Sequence, residues 1–171
     1  MYSDKAASLV HSHLDAVYGF CLHLTKNTYD AEELCQDTFL KIIEKPERID
    51  DGNNPRAYIC TVALSLWKSR IRKLLRRHAI APSSPIDEHI NVSAKDDTES
   101  DVLNRERAQK VNEAVAALTE NLRIPVLLYY MCDVPLADIA KTLNCPVGTV
   151  KSRLYKAREI IKKDLEVLLN E

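Results

Sequence analysis

At 171 residues, 46% of them hydrophobic, the chain has length for one domain or two small ones and enough apolar side chains to build folded cores. No run approaches the roughly 18 uninterrupted apolar residues of a membrane span, and Met1-Tyr2-Ser3-Asp4-Lys5 lacks the basic start of a signal peptide, so the protein is expected in the cytoplasm. The formal net charge of −1 conceals an uneven distribution: residues 1–78 carry 12 basic and 10 acidic side chains, residues 79–104 carry 1 and 6, and residues 105–171 carry 11 and 9.

Three glycines, seven prolines and long stretches of 3.6-residue apolar spacing argue for helices and against sheets. The five cysteines, Cys21, Cys35, Cys60, Cys132 and Cys145, form no C-x-x-C pair and read as small core hydrophobes of a reducing compartment rather than as a metal or redox site. His11 and His13 are two apart, which turns them to different sides of a helix and away from a shared metal. No nucleophile is paired with a base and no glycine-rich loop could cradle a phosphate, so no catalytic residue, metal or cofactor is expected and the chain does not read as an enzyme.

The first predicted helix runs from about Lys5 to Thr25, with Leu9, Val10, Leu14, Val17, Phe20, Cys21 and Leu24 on its apolar side. A second begins with Asp30 as N-cap and Glu33 three residues on, a capping-box pattern worth about 1 kcal/mol, and ends near Lys45, before Pro46. Residues 47–53 read as a loop. A third helix starts at Asn54-Pro55, where proline suits a first turn, and runs to about Arg77. Residues 79–104, rich in Pro, Ser and Asp and acidic, read as a linker with a flexible span of about 28 Å and a reach of roughly 85 Å when extended. Downstream, Arg105 to Leu118 and Leu122 to Met131 read as a helix pair. Leu136 to Leu143 follows as a short helix, Asn144-Cys145-Pro146 as a turn, and Val147 to about Leu169 as a longer helix. The fold class is therefore all-α: two small helical domains, residues 1–78 and 105–171, joined by a flexible acidic linker.

Positive charge is concentrated at two places. Lys68, Arg70, Arg72, Lys73, Arg76 and Arg77 occur with no acid among them, and Lys151, Arg153, Lys156, Arg158, Lys162 and Lys163 enclose only Glu159. A solvated helix face is the plain alternative for either run. Two runs, each ending a helical module, favour phosphate-binding surfaces.

The last two predicted helices have the helix-turn-helix form, with Ile139, Ala140, Leu143, Val150 and Leu154 as its core. Thr149, Lys151, Ser152, Tyr155 and Lys156 lie in the first three turns of the second helix, opposite that core, where a recognition helix meets base edges and phosphate. Lys151 suits guanine N7 and O6, and Tyr155 a thymine methyl or a sugar.

The run D-I-A-K-T-L-N-C-P-V-G-T-V-K-S-R-L-Y-K-A-R resembles the C-terminal domain of extracytoplasmic-function (ECF) sigma factors, whose signature ends in V-G-T-V-K-S-R-L-x-R-A-R. The resemblance implies that this helix reads the minus-35 promoter element through Thr149, Lys151, Ser152, Tyr155 and Lys156. Where the family often has L-R-Y on the preceding helix, this chain has Leu128-Tyr129-Tyr130, which removes a phosphate contact.

Asp30-Ala31-Glu32-Glu33-Leu34-Cys35-Gln36-Asp37-Thr38-Phe39-Leu40 is similar to the D-A-E-D-L-V-Q-E-T-F-L of sigma region 2.2. That likeness implies docking on the coiled coil of the polymerase β′ clamp through Glu33, Gln36 and Asp37, which at i, i+3 and i+4 share one helix face, with Leu34, Thr38 and Ile42 behind. The stretch Asn54-Pro55-Arg56-Ala57-Tyr58-Ile59-Cys60-Thr61-Val62-Ala63 resembles sigma regions 2.3 and 2.4, implying a grip on the opened minus-10 element by Asn53, Asn54, Arg56, Trp67, Arg70, Arg72 and Lys73. Tyr58 is the better core residue of the two aromatics there, and Trp67 suits core or base equally. Leu64, Ser65 and Ser69 replace the Arg, Asn and Asp of the family's A-R-N-L-A-I-D, so contacts at those positions do not carry over.

The resemblance spans roughly residues 5–78 and 108–165. It implies a sigma factor that binds core RNA polymerase, through the β′ clamp coiled coil and the β subunit, and promoter DNA, with an anti-sigma protein as a further partner. A free-standing helix-turn-helix regulator is the rival; it leaves the region 2.2 likeness and the basic helix at 68–77 unexplained.

Overall fold

The structure, a computed structural model, describes residues 2–45, 48–49, 54–80 and 99–169. Among the described residues there are seven helices and no strand: α1 (Tyr2–Thr25), α2 (Thr28–Glu44), α3 (Pro55–Ile80), α4 (Glu99–Ala117), α5 (Glu120–Tyr130), α6 (Leu136–Leu143) and α7 (Val147–Leu169). None is long and apolar enough to cross a membrane. The chain separates into two units, one of Met1–Ile90 with Tyr130–Val134, the other of Asn91–Tyr129 with Pro135–Glu171.

In the first unit α1, α2 and α3 pack on one another. Val17, Phe20, Cys21 and Leu24 of α1 meet Ala31, Leu34, Phe39 and Ile42 of α2 and Ile59, Cys60, Ala63 and Leu64 of α3 in one buried core. At about 25 cal/mol per Å2 of apolar area removed from water, each large side chain here contributes about 1.5–3 kcal/mol. The apolar spacing of α1 extends further than its burial: Leu9 and Val10 are half-buried and Leu14 is exposed.

The start of α2 differs from the sequence expectation. Asn27, not Asp30, is the N-cap: its backbone is extended (φ −146°, ψ 129°) and its Oδ1 accepts the Asp30 backbone N–H at 2.9 Å. Asp30 sits inside the first turn, where its charge still favours the positive end of the helix dipole. The cap moved upstream because Lys26 turns the chain sharply (φ 56°) after α1, leaving Asn27 the first residue free to cap. α3 begins at Pro55 as expected, with the Asn54 Oδ1 accepting the Ala57 N–H at 3.3 Å, and runs three residues past Arg77 to Ile80. α4 begins at Glu99, inside the stretch read as linker, and Val102 and Leu103 are exposed on it. Residues 81–98 lie outside the described residues.

The second unit holds the helix-turn-helix. Ile139, Ala140, Val150, Leu154 and Ala157 are buried between α6 and α7, and Leu143 is half-buried at the edge. Asn144 closes α6 in the left-handed conformation (φ 51°, ψ 51°), and the Cys145 N–H donates to the Ala140 carbonyl at 3.0 Å, satisfying a carbonyl at the helix end. The Pro146 carbonyl then accepts the N–H groups of Thr149 and Val150, opening α7. α4 packs on α7, and α5 is buried from Leu122 to Leu128, with Pro125 inside the helix.

Candidate nucleic-acid interface

The face of α7 opposite its core is the first candidate surface. Lys151, Ser152, Tyr155 and Lys156 are exposed there and Thr149 is half-buried, so the five side chains expected to reach DNA lie together on the helix. Their placement follows from period: Val150, Leu154 and Ala157 go to the core, and the positions between them face outward. Tyr155, 63% exposed, is a large aromatic held out in water by a helix with apolar packing on its other side. The Ser152 hydroxyl donates to the Thr149 carbonyl at 3.0 Å. Gly148 adds a feature that sequence reasoning passed over: a Cβ there would meet nothing within 4 Å, so packing does not demand glycine. Glycine in a helix interior costs about 0.5–1 kcal/mol relative to alanine; at this first turn the space over the backbone is open.

The second candidate surface is α2. Glu33, Gln36 and Asp37 are all exposed on one side, with Leu34, Thr38 and Ile42 buried behind them. The Thr38 hydroxyl donates to the Leu34 carbonyl at 2.7 Å, which lets this polar residue sit fully buried. Beside the acidic face runs an apolar groove between α1 and α2, lined by Val10, Leu14, Tyr18, Phe39, Leu40 and Ile43. Leu40, at 60% exposure, is its most open member.

The structure brings one expected DNA residue to the acidic face. Arg70 of α3 donates from Nη1 to Glu33 at 3.3 Å and from Nη2 to Asp37 at 2.5 Å, so one guanidinium joins two of the three residues of that face. The C-terminal end of α3 leaves Arg72, Lys73, Arg76 and Arg77 exposed on a helix end that carries partial negative charge of its own, which favours cations. Trp67 and Tyr58 are both half-buried.

At the other end of α3, Asn54 and Arg56 are held by Asp133. The Asn54 side-chain amide donates to the Asp133 carbonyl at 3.1 Å, and the Arg56 Nη1 lies 3.2 Å from its carboxylate. Asp133 takes a left-handed conformation (φ 53°), uncommon without glycine, that presents both groups. His13 on α1 is near: burial, and then the charge of Arg56, hold its imidazole below the ordinary value. Asn53 lies outside the described residues.

The family comparisons follow this division. Sigma-70 region 2 matches residues 9–77 and Sigma-70, region 4 matches residues 108–161, together more than two thirds of the chain. The ECF RNA polymerase sigma factor SigW of Bacillus subtilis is 25% identical over 170 residues, covering 96% of this chain and 91% of its own. The chain belongs to the ECF sigma factors. The RNA polymerase sigma factor HrpL of Pseudomonas syringae is also 25% identical, over 158 residues, covering 92% of this sigma factor and 85% of its own chain. The fold resembles that of the sigma factor RpoE in a co-crystal with the anti-sigma factor NepR from Bartonella quintana (TM-score 0.73, 24% identity, 92% and 94% of the two chains).

Within this sigma factor Glu33, Gln36, Asp37, Arg70, Arg72 and Lys73 fall in the region 2 match and the α7 side chains in the region 4 match. Two further features were missed in the sequence. Arg123, buried on α5, donates to the Leu118 carbonyl at 3.4 Å; a charged residue within an apolar run was the available signal. The second is the cysteine arrangement. Cys21, Cys35 and Cys145 carry free thiols, but Cys60 and Cys132 are joined as a disulfide, which corrects the reading of all five as isolated core thiols. Nothing in their spacing, 72 residues apart, pairs them; the fold does. Cys21 and Cys35 lie within hydrogen-bonding reach, and that bond, with burial, pushes the Cys21 thiol up.

Proposed function

We propose that this sigma factor gives core RNA polymerase its promoter specificity and performs no chemistry of its own. Its domains on this reading are residues 1–78, which bind core polymerase and open the minus-10 element, the linker 79–104, and residues 105–171, which read the minus-35 element. The observation that carries the reading is the presence in one chain of two surfaces of opposite character. The acidic, partly apolar face of α2 is suited to a protein partner, and α7 presents Lys151, Ser152, Tyr155 and Lys156 to a groove.

Glu33, Gln36 and Asp37 meet the coiled coil of the β′ clamp, and the β subunit supplies further contacts. Asn53, Asn54, Arg56, Trp67, Arg70, Arg72 and Lys73 serve the opened minus-10 strand, where a flipped base needs a pocket and the backbone a basic rail. Thr149, Lys151, Ser152, Tyr155 and Lys156 serve the minus-35 duplex. The complex acts in the cytoplasm. The NepR complex of RpoE supports an anti-sigma protein as the partner that holds this chain inactive.

A single-round transcription assay with core polymerase and a library of promoter-like duplexes tests the reading. Initiation is expected to require the protein and to fall when Glu33, Gln36 and Asp37 are changed together to Ala. Specific duplex binding without core polymerase, and no protein-dependent initiation, would favour a free-standing helix-turn-helix regulator instead.

A further inference from the structure

We propose that Cys60 and Cys132 are a reversible redox site whose closure fastens the Tyr130–Val134 segment of the first unit to the N-terminal part of α3. Their Cα atoms are 6.2 Å apart, inside the roughly 4.4–6.8 Å over which a disulfide closes without backbone movement. Both side chains are fully buried. The pairing does not rest on sulfur alone, because Asp133, next to Cys132, is held independently by the amide of Asn54 and the guanidinium of Arg56. Cys60 follows Arg56 by one helical turn, so the covalent and the polar attachments grip neighbouring turns of α3.

The consequence rests on the reading given above, in which Asn54 and Arg56 serve the minus-10 strand. With the disulfide closed, Asp133 is kept at high local concentration beside both side chains and competes with DNA for them. With it open, the same contacts are a solvent-accessible ion pair and one amide hydrogen bond, which a nucleic acid can displace. In a reducing compartment a disulfide that forms is most often transient and regulatory, in keeping with a pair that signals oxidation.

The oxidant is a hydroperoxide. One cysteine loses its proton and, as the thiolate, attacks the terminal oxygen, breaking the O–O bond and becoming a sulfenic acid; the departing hydroxide takes up that proton, giving water in the case of hydrogen peroxide. The second thiol attacks the sulfenic sulfur and forms the S–S bond as the hydroxyl leaves with a proton as a second water. Two thiols are oxidised and one peroxide is reduced to two waters. A dithiol reductant reverses the change by exchange, becoming a disulfide as the two cysteines regain their protons. Because both sulfurs are covered when the segment is seated, oxidant and reductant reach them with the segment lifted.

The test uses the full chain, reduced with dithiothreitol and then exposed to hydrogen peroxide. Non-reducing peptide mapping by mass spectrometry is expected to find a Cys60–Cys132 linked peptide, lost again on reduction. In single-round transcription the oxidised protein is expected to lose activity about tenfold and to regain it with dithiothreitol. The Cys132→Ser variant keeps its activity through peroxide treatment, with Cys60→Ala as a second variant should the first fail to fold. A linked peptide joining Cys21 to Cys35 instead, or equal initiation by the oxidised and reduced chains, would overturn the proposal. Failure of the reduced, unchanged protein to initiate would count against the sigma reading, while the mapping still decides whether the pair forms.

Discussion

Arg70 lies 2.5 Å from Asp37, across 33 residues of sequence, and its second nitrogen reaches Glu33. A residue expected to hold DNA thereby occupies the carboxylates expected to hold polymerase. The guanidinium is 24% exposed and the carboxylates about half, so each pair is worth about 0.2–1 kcal/mol. A basic partner helix must exchange that guanidinium for its own side chain. Arg70→Gln is therefore expected to leave the fold intact and to raise affinity for core polymerase, by about fivefold for each 1 kcal/mol of competing pair removed. Titration of labelled core polymerase measures it; weaker binding would mean that Arg70 orients the carboxylates for their partner.

On α7 the exposed basic residues divide by position. Lys151, in the second turn, is placed for a base edge, and Lys162, farther along, for phosphate at most. Lys151→Ala is expected to cost about 1–3 kcal/mol on the preferred minus-35 sequence and to relax preference at one base pair. Lys162→Ala is expected to weaken all sequences alike or not at all, and any loss should lower the salt dependence by roughly one counterion. Competition binding of the polymerase complex across single-base variants separates the two.

The cap of α2 gives a stability prediction. Asn27→Ala removes the acceptor of the Asp30 N–H and is expected to cost about 1 kcal/mol. Asp30→Asn keeps that hydrogen bond and loses only a charge at the helix start, about 0.3–1 kcal/mol. Urea unfolding of the two variants ranks them, and a larger loss at Asp30 would return the cap to that residue.

His13 gives a pH prediction. Burial, with Arg56 beside it, lowers its pKa on folding, and its Nδ1 is buried without a hydrogen-bond partner. The folded state therefore prefers the neutral ring. This contribution is present above the unfolded imidazole value, near 6.5, and is lost as pH falls through that value toward the lower folded one. The melting temperature is expected to drop between about pH 7 and 5.5 and to drop less in His13→Gln. An identical slope in both proteins would assign the loss to other groups.

The features legible in sequence were those set by neighbours along the chain. The apolar period of α7 fixed which side chains face outward, because Val150 and Leu154 had one way to reach a core, and so Lys151, Ser152, Tyr155 and Lys156 were placed on the outer face in advance. The turn at Asn144-Cys145-Pro146 and the start of α3 at Pro55 were local chemistry of the same kind. The N-cap of α2 was misplaced because Asn27 and Asp30 are both good caps, and the choice between them lay in how the chain left α1.

Tertiary structure alone decided which side chain answers which. Arg70 reads as one more cation in a basic run until α3 lies against α2, and Cys60 and Cys132 read as unrelated hydrophobes until the fold brings their Cα atoms to 6.2 Å. Side-chain periodicity tells a residue which face it is on, but a salt bridge or a disulfide forms only when its partners come within a few ångströms. Its partner is set by packing between segments that sequence leaves far apart.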